Sequence, residues 1–202
     1  MEKLDNIIFD VDGTLIDSYL GIKDTFTNME LFIPDLENQI GPPVINILKS
    51  NFKDMSISDL NKYVQLFRSY YDNIGYLRYT LYPNVVETLQ ELNNRHINCY
   101  IATNKPLSTV CKILELSDIK KYFKEVISKN AELTTKTLMI NHIIEKYELS
   151  KNNAVMVGDT LEDVNSAENN QIPFILAKYG YGDKSLKHDK IINSVDEVLN
   201  II

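Results

Sequence analysis

No stretch of this sequence approaches the ~20 consecutive apolar residues of a membrane-spanning helix, and its opening, MEKLDNIIFD, lacks the long apolar run of a signal peptide. The expected location is therefore the cytoplasm, with no membrane partner. Cysteine is scarce. Cys99 and Cys111 stand twelve positions apart with no metal-ligand pattern around them, which reads as two free thiols in a reducing compartment. The three histidines, His96, His142 and His188, share no ligand spacing. Basic excess is missing too: 21 Lys and Arg against 28 Asp and Glu leave a net charge of −7, which argues against a nucleic-acid partner. There is no internal repeat, low-complexity tract or Gly/Ser linker. With 202 residues, 44% hydrophobic and 24% charged, the chain is one large domain or a core with a modest insertion.

What the chain does have is a series of short apolar runs of strand type: Ile7–Val11, Ile97–Ala102, Glu125–Ser128, Ala154–Val157 and Ile172–Leu176. From the second onward, stretches with helical spacing separate them. Val85, Val86, Leu89 and Leu92 form one stripe, Val110, Ile113 and Leu114 a second, and Leu138, Ile140, Ile143, Ile144 and Tyr147 a third. Strands alternating with helices predict an α/β fold, a parallel sheet with helices on both faces. Each run ends in a polar or glycine-rich loop, DVDGT, ATNKP, MVGDT and AKYGYG, and open parallel sheets bind ligands at the carboxyl ends of their strands.

The alternation breaks once. Between Asp17 and Leu81 no strand is evident, only helix-like stretches over roughly 18–33, 42–52 and 57–76. This divides the chain into a core, 1–16 and 81–202, and a helical bundle, 17–80, that leaves and rejoins the core at the first strand's end and would sit over it as a lid. Tyr63, Phe67, Tyr70 and Tyr71 recur at helical spacing and read as bundle core.

The first loop carries two acids, Asp10 and Asp12, followed by Gly13 and Thr14. Burying an unpaired carboxylate is costly, so two at a strand end point to a ligand. At i and i+2 of a strand both would project to one side. In ATNKP, Thr103 and Asn104 offer hydrogen-bond donors just before Pro106, a residue suited to a helix's first turn, where free N–H groups attract anions. Lys136 opens the third stripe. In VMVGDTLEDVNSA, Asp159 and Asp163 stand four apart at the mouth of a helix, and acids so placed imply a hard cation on oxygen ligands, most simply Mg2+.

In order, DxDGT, an apolar-Thr-Asn run, a lysine and GDxxxD resemble the haloacid dehalogenase superfamily of phosphohydrolases, over nearly the entire chain. ATNKP, IGPPV and KYGYG look most like its phosphoglycolate phosphatase-like branch. The resemblance implies a Rossmann-like core with an α-helical cap, and an Mg2+-dependent phosphatase acting on a small-molecule organophosphate. It implies that Asp10 is the nucleophile that forms an aspartyl-phosphate and Asp12 the general acid and base. It further implies that Gly13, Thr103, Asn104 and Lys136 hold the phosphoryl group, and that Asp10, Asp12, Asp159 and Asp163 form the metal site, Asp12 through its backbone carbonyl. Gly41-Pro42-Pro43 resembles the family's substrate-contacting loop, and also reads as a rigid turn between helices. One position departs from the pattern: Thr137 follows Lys136 where many relatives have proline, and Lys129 stands nearby as a rival. Other capped enzymes of the superfamily remain open on sequence, namely a nucleotidase, sugar phosphatase, pyrophosphatase or phosphosugar mutase, as does a catalytically silent binding relative. A receiver domain is disfavoured by the insertion and by the form of the acid pair.

Overall fold

The structure, a computed structural model, describes residues 4–202, so the first three residues of the expected core segment lie outside it. Its strands and helices follow in chain order as β1 (Asn6–Phe9), β2 (Ile16–Asp17), α1 (Tyr19–Asn28), α2 (Val44–Asn51), α3 (Ile57–Tyr71), β3 (Thr80–Leu81), α4 (Val85–Asn94), β4 (Asn98–Thr103), α5 (Leu107–Leu116), β5 (Phe123–Ser128), α6 (Lys136–Lys146), β6 (Ala154–Gly158), α7 (Leu161–Asn170), β7 (Phe174–Ala177) and β8 (Ile191–Ile192). The main sheet has six strands in the order β5-β4-β1-β6-β7-β8, all parallel. The chain builds outward from β1 to one side and then returns to build on the other. The point where strand order reverses, at which a parallel sheet opens a crevice, therefore falls at the carboxyl end of β1.

Alternating side chains of the strands feed two apolar layers. Ile7, Phe9, Ile101, Val155 and Val157 pack with Leu89 of α4 and Ile113 of α5 on one face. Ile8, Tyr100, Met156 and Leu176 pack with Ile140 and Ile143 of α6 and Ala167 of α7 on the other. This is the Rossmann-like α/β arrangement expected from the sequence. Two details of the stripes differ: Val86 and Leu138 face solvent, and Met139 takes the buried place on α6. A turn of 3.6 residues aligns 136, 139, 140 and 143 on one face, so burying Met139 also turns Lys136 inward.

The insertion meets the core through a feature that periodicity could not reveal. β2 and β3 are only two residues long, pairing Ile16 with Leu81 and Asp17 with Thr80 in antiparallel register. They tie together the points where the chain leaves and rejoins the core. Between them α1, α2 and α3 close around a third apolar cluster that includes Phe26, Leu48, Leu60, Phe67 and Tyr71. The last expected helix ends at Tyr71, five residues short of its expected end, and a separate 3-10 turn covers Gly75–Arg78.

Candidate active site

β1 ends at Phe9, two residues before its expected end, so Asp10 and Asp12 belong to the loop beyond it and not to a strand face. The same-side argument drawn from strand geometry therefore fails, and the two acids have separate environments. Asp10 is buried, with Oδ1 3.0 Å from Lys136 Nζ. Asp12 turns toward the helical insertion, where its Oδ1 accepts hydrogen bonds from Ser18 Oγ (2.5 Å) and lies 3.0 Å from Lys105 Nζ. Gly13 makes the turn between them possible: its φ is +81°, and a Cβ there would lie 2.1 Å from Asp159 Oδ2.

Lys136, Asp159 and Asp163 come to Asp10 from the other side of the crevice. Lys136 Nζ also donates to Asp163 Oδ1 at 2.6 Å. The rival Lys129 is exposed. Asp163 Oδ2 accepts from the Thr160 N–H (3.0 Å) and hydroxyl (2.6 Å), and the Thr160 hydroxyl in turn accepts from the Asp163 N–H, so the pair forms a capping box at the start of α7. Each Asp163 oxygen thus has a protein partner, and Oδ1 accepts from Lys136 alone. Asp159 Oδ2 accepts from the N–H groups of Tyr181 (2.7 Å) and Gly182 (3.1 Å), while its Oδ1 is buried with no hydrogen-bond partner.

Ligand atoms of Asp10, Asp159 and Asp163 lie within 4.8 Å of one another, and the Asp12 carboxylate stands outside the group. Three carboxylates share one lysine, and Asp159 Oδ1 is buried without a hydrogen-bond partner among the described residues. That donor set, all oxygen and in excess of its counter-charge, fits a hard divalent cation. Burial pushes the Asp10 carboxyl well above the usual carboxylate range, with Lys136 pulling it down and the neighbouring acids pushing it up. Burial first, and the Asp163 charge second, push Asp159 up to about 7.

This has a consequence for stability that titration can check. A carboxyl whose folded-state pKa is raised holds its proton longer in the folded chain. Its contribution is present below the ordinary value of 3.8 and is lost as pH rises through about 7. The EDTA-treated protein should therefore melt at a lower temperature at about pH 8 than at about pH 5, and added Mg2+ should recover most of the difference at the higher pH. A melting temperature that is insensitive to Mg2+ at the higher pH would contradict the cation site.

The remaining sequence candidates divide. Thr103, buried at the end of β4, accepts from the Lys105 N–H through its Oγ1 (3.2 Å) and keeps its own proton to donate. The Asn104 amide is already used, donating to the Gly41 carbonyl (3.1 Å) and Glu162 Oε2 (2.9 Å), so it bridges the insertion to the core and does not reach toward Asp10 as a free donor. Tyr71, read from sequence as bundle core, does pack on Phe67, yet its hydroxyl accepts from Lys105 Nζ at 2.8 Å.

One residue escaped the sequence reading, and another was read only as part of the KYGYG loop. Lys105 lies inside ATNKP, where local pattern reads the same whether its side chain points in or out. Tyr181 belongs to the loop after β7, but its ring joins the apolar cluster of the insertion. Its hydroxyl donates to Asp17 Oδ1 (2.6 Å) and accepts from the N–H groups of Ser18 (2.6 Å) and Tyr19 (3.0 Å). Burial and then Asp17 raise its pKa, which keeps the phenol protonated as that donor. Tyr181→Phe leaves the Ser18 N–H buried without an acceptor and should cost about 1–3 kcal/mol in urea denaturation.

Comparison with known proteins agrees with this geometry. The model of a family described as haloacid dehalogenase-like hydrolase matches residues 7–177. A phosphoglycolate phosphatase of Vibrio parahaemolyticus is 31% identical over 216 residues, covering 97% of this chain and 95% of that protein. The pyrophosphatase PpaX of Oceanobacillus iheyensis is 27% identical, covering 97% and 95%. A solved haloacid dehalogenase-like family hydrolase from Streptococcus pneumoniae superposes with a TM-score of 0.90 at 27% identity, over 100% of this chain and 99% of that one. The chain belongs to the haloacid dehalogenase-like hydrolase family. Both curated relatives cleave bonds to phosphorus, by their names, which bears on the reaction considered next.

Proposed function

We propose that this protein is a phosphatase that hydrolyses a small phosphomonoester through an aspartyl-phosphate on Asp10, with residues 17–80 serving as a lid over the site. The observation that carries the reading is the meeting of Asp10, Lys136, Asp159 and Asp163 at the crevice of a parallel sheet, with Asp12 facing the space beneath the insertion.

Phosphoryl transfer between an anionic carboxylate and an anionic phosphate depends mostly on positioning and charge neutralisation. Asp10 attacks phosphorus, and the alcohol departs with a proton from Asp12. Water then attacks the aspartyl-phosphate after giving a proton back to Asp12. Lys136, held charged by Asp10 and Asp163 against the opposing effect of burial, neutralises the phosphoryl oxygens. Thr103 holds them, whereas the Gly13 N–H, a candidate on sequence, already donates to the Ile16 carbonyl (2.9 Å). Asp163 acts through Lys136 and the α7 cap. A divalent cation, Mg2+, held by Asp10, Asp159 and the Asp12 carbonyl, would supply the positive charge that the three carboxylates leave uncompensated. Ser18 and Lys105 hold the Asp12 carboxylate toward the lid side, where the leaving group must lie if Asp12 is to protonate it.

The direct test is phosphate release from small phosphomonoesters in the presence and absence of Mg2+. Release that requires Mg2+, with Asp12→Asn reducing it by roughly 100-fold or more, is the expected result. No release from any of them sinks the reading, and transfer within a sugar phosphate without net release would make the enzyme a mutase.

A further inference from the structure

Helix α1 starts against the usual rule. Ser18 stands at its N-cap, where a serine ordinarily adopts an extended backbone and accepts a hydrogen bond from the first turn of the helix. Here its φ is −107° and its ψ is 5°, and its side chain makes no capping bond. An acceptor comes instead from the loop after β7. The Tyr181 hydroxyl accepts from the N–H groups of Ser18 (2.6 Å) and Tyr19 (3.0 Å) and donates to Asp17 Oδ1 (2.6 Å). Asp17 Oδ1 accepts from the same Tyr19 N–H at 2.9 Å. With its backbone held in this way, Ser18 turns its hydroxyl to the acid, and Oγ donates to Asp12 Oδ1 at 2.5 Å. Lys105 Nζ approaches the same oxygen at 3.0 Å. Both contacts fall on Oδ1, which leaves Oδ2 to carry a proton.

Tyr181 is itself fixed at its other end. Its N–H donates to Asp159 Oδ2 at 2.7 Å, and Gly182 beside it lies too close to the Asp159 carbonyl for any Cβ. The ring between these ends is 3% exposed and packs in the apolar cluster of the insertion. One rigid side chain therefore reaches from Asp159 at a strand end to the first residues of the insertion. Starting a helix needs no more than a local serine cap, and departures from a local rule concentrate at functional sites. We propose that Tyr181 is a positioning residue for Asp12: by gripping the start of α1 it keeps the Ser18 hydroxyl on Oδ1 and so aims Oδ2 at the leaving-group oxygen. This role rests on the phosphatase reading, in which Asp12 protonates the departing alcohol. Without the Tyr181 hydroxyl, Ser18 returns to the extended backbone of an ordinary cap, and Asp12 keeps Lys105 alone.

The experiment compares kcat/KM of the Mg2+-supplied enzyme for two classes of substrate. Acetyl phosphate and p-nitrophenyl phosphate have leaving groups that depart as anions, whereas the alkoxides of phosphoglycolate and glycerol 3-phosphate need a proton. Tyr181→Phe should lower the value for the better alkyl substrate by roughly tenfold to a hundredfold, a large part of what a general acid supplies, and that for the better activated substrate by less than about threefold. Ser18→Ala should show the same selectivity, and the double variant should be no worse than the poorer single one, because both residues act along one path. A purely structural phenol would lower both classes alike, so an equal loss, or no loss, overturns the proposal. If Tyr181→Phe does not fold, Ser18→Ala carries the test by the same criterion. A wild type that releases phosphate from neither class overturns the phosphatase reading as well. One that cleaves only the activated class does not use Asp12 as an acid, and overturns this role alone.

Discussion

Asp10→Asn should lower turnover by about four orders of magnitude or more and abolish labelling of the enzyme by substrate phosphate, because no other group stands in for a lost nucleophile. The substitution is nearly isosteric, and Asp10 is a carboxyl that the fold already holds at a disadvantage. It is buried, its pKa is raised by that burial, and Asp163 and Asp159 push it further in the same direction. A neutral amide removes that repulsion, while Lys136 keeps its 2.6 Å contact with Asp163. Melting of the cation-free variant should therefore occur at or above the wild-type temperature. The combination of a dead enzyme and an undiminished fold separates a chemical role from a structural one. Activity within tenfold of wild type would remove Asp10 as the nucleophile.

Lys136→Met should affect both properties. Lys136 is 1% exposed and lies between Asp10 Oδ1 and Asp163 Oδ1. Methionine fills much of the same volume but leaves buried carboxylates without their cation, and breaking such a pair from one side costs about 3–5 kcal/mol. Urea denaturation near neutral pH in EDTA measures this directly. The loss should shrink as pH falls, because Asp10 and Asp159, with raised values, take up protons before ordinary carboxyls do. Turnover should fall as far as in Asp10→Asn, since the phosphoryl oxygens lose their fixed positive partner. Unchanged stability together with unchanged turnover would show Lys136 to be dispensable for both.

The contrast between Lys136 and Lys105 shows where sequence stops being informative. Lys136 was legible as a candidate because it stands third in the order of motifs that resembles the family, while the face it shares with Met139, Ile140 and Ile143 emerges only in the structure. Lys105 has no such local signature. Its burial depends on Tyr71, thirty-four positions earlier in the chain, whose hydroxyl reaches it only because α3 packs over the strand ends. Tyr181 is a more distant case, since it meets Ser18 and Tyr19 across more than 160 positions. The geometric reason for linking two of the candidates also failed. Asp10 and Asp12 were linked by strand geometry, yet the strand ends before either and they part toward different lysines.

Element type, the two-faced sheet and the four polar loops at its strand ends follow from the sequence by itself, because apolar period is a property of neighbouring residues and survives without knowledge of the fold. Which polar atoms are spent is decided only in three dimensions. The Asn104 amide is consumed by Gly41 and Glu162, the Asp163 oxygens are engaged by Lys136 and Thr160, and Asp159 Oδ1 and one Lys105 donor are left over among the described residues. Hydrogen bonds and desolvation act over a few ångströms between groups that the chain separates by tens of residues, so only the packed structure assigns each donor its acceptor.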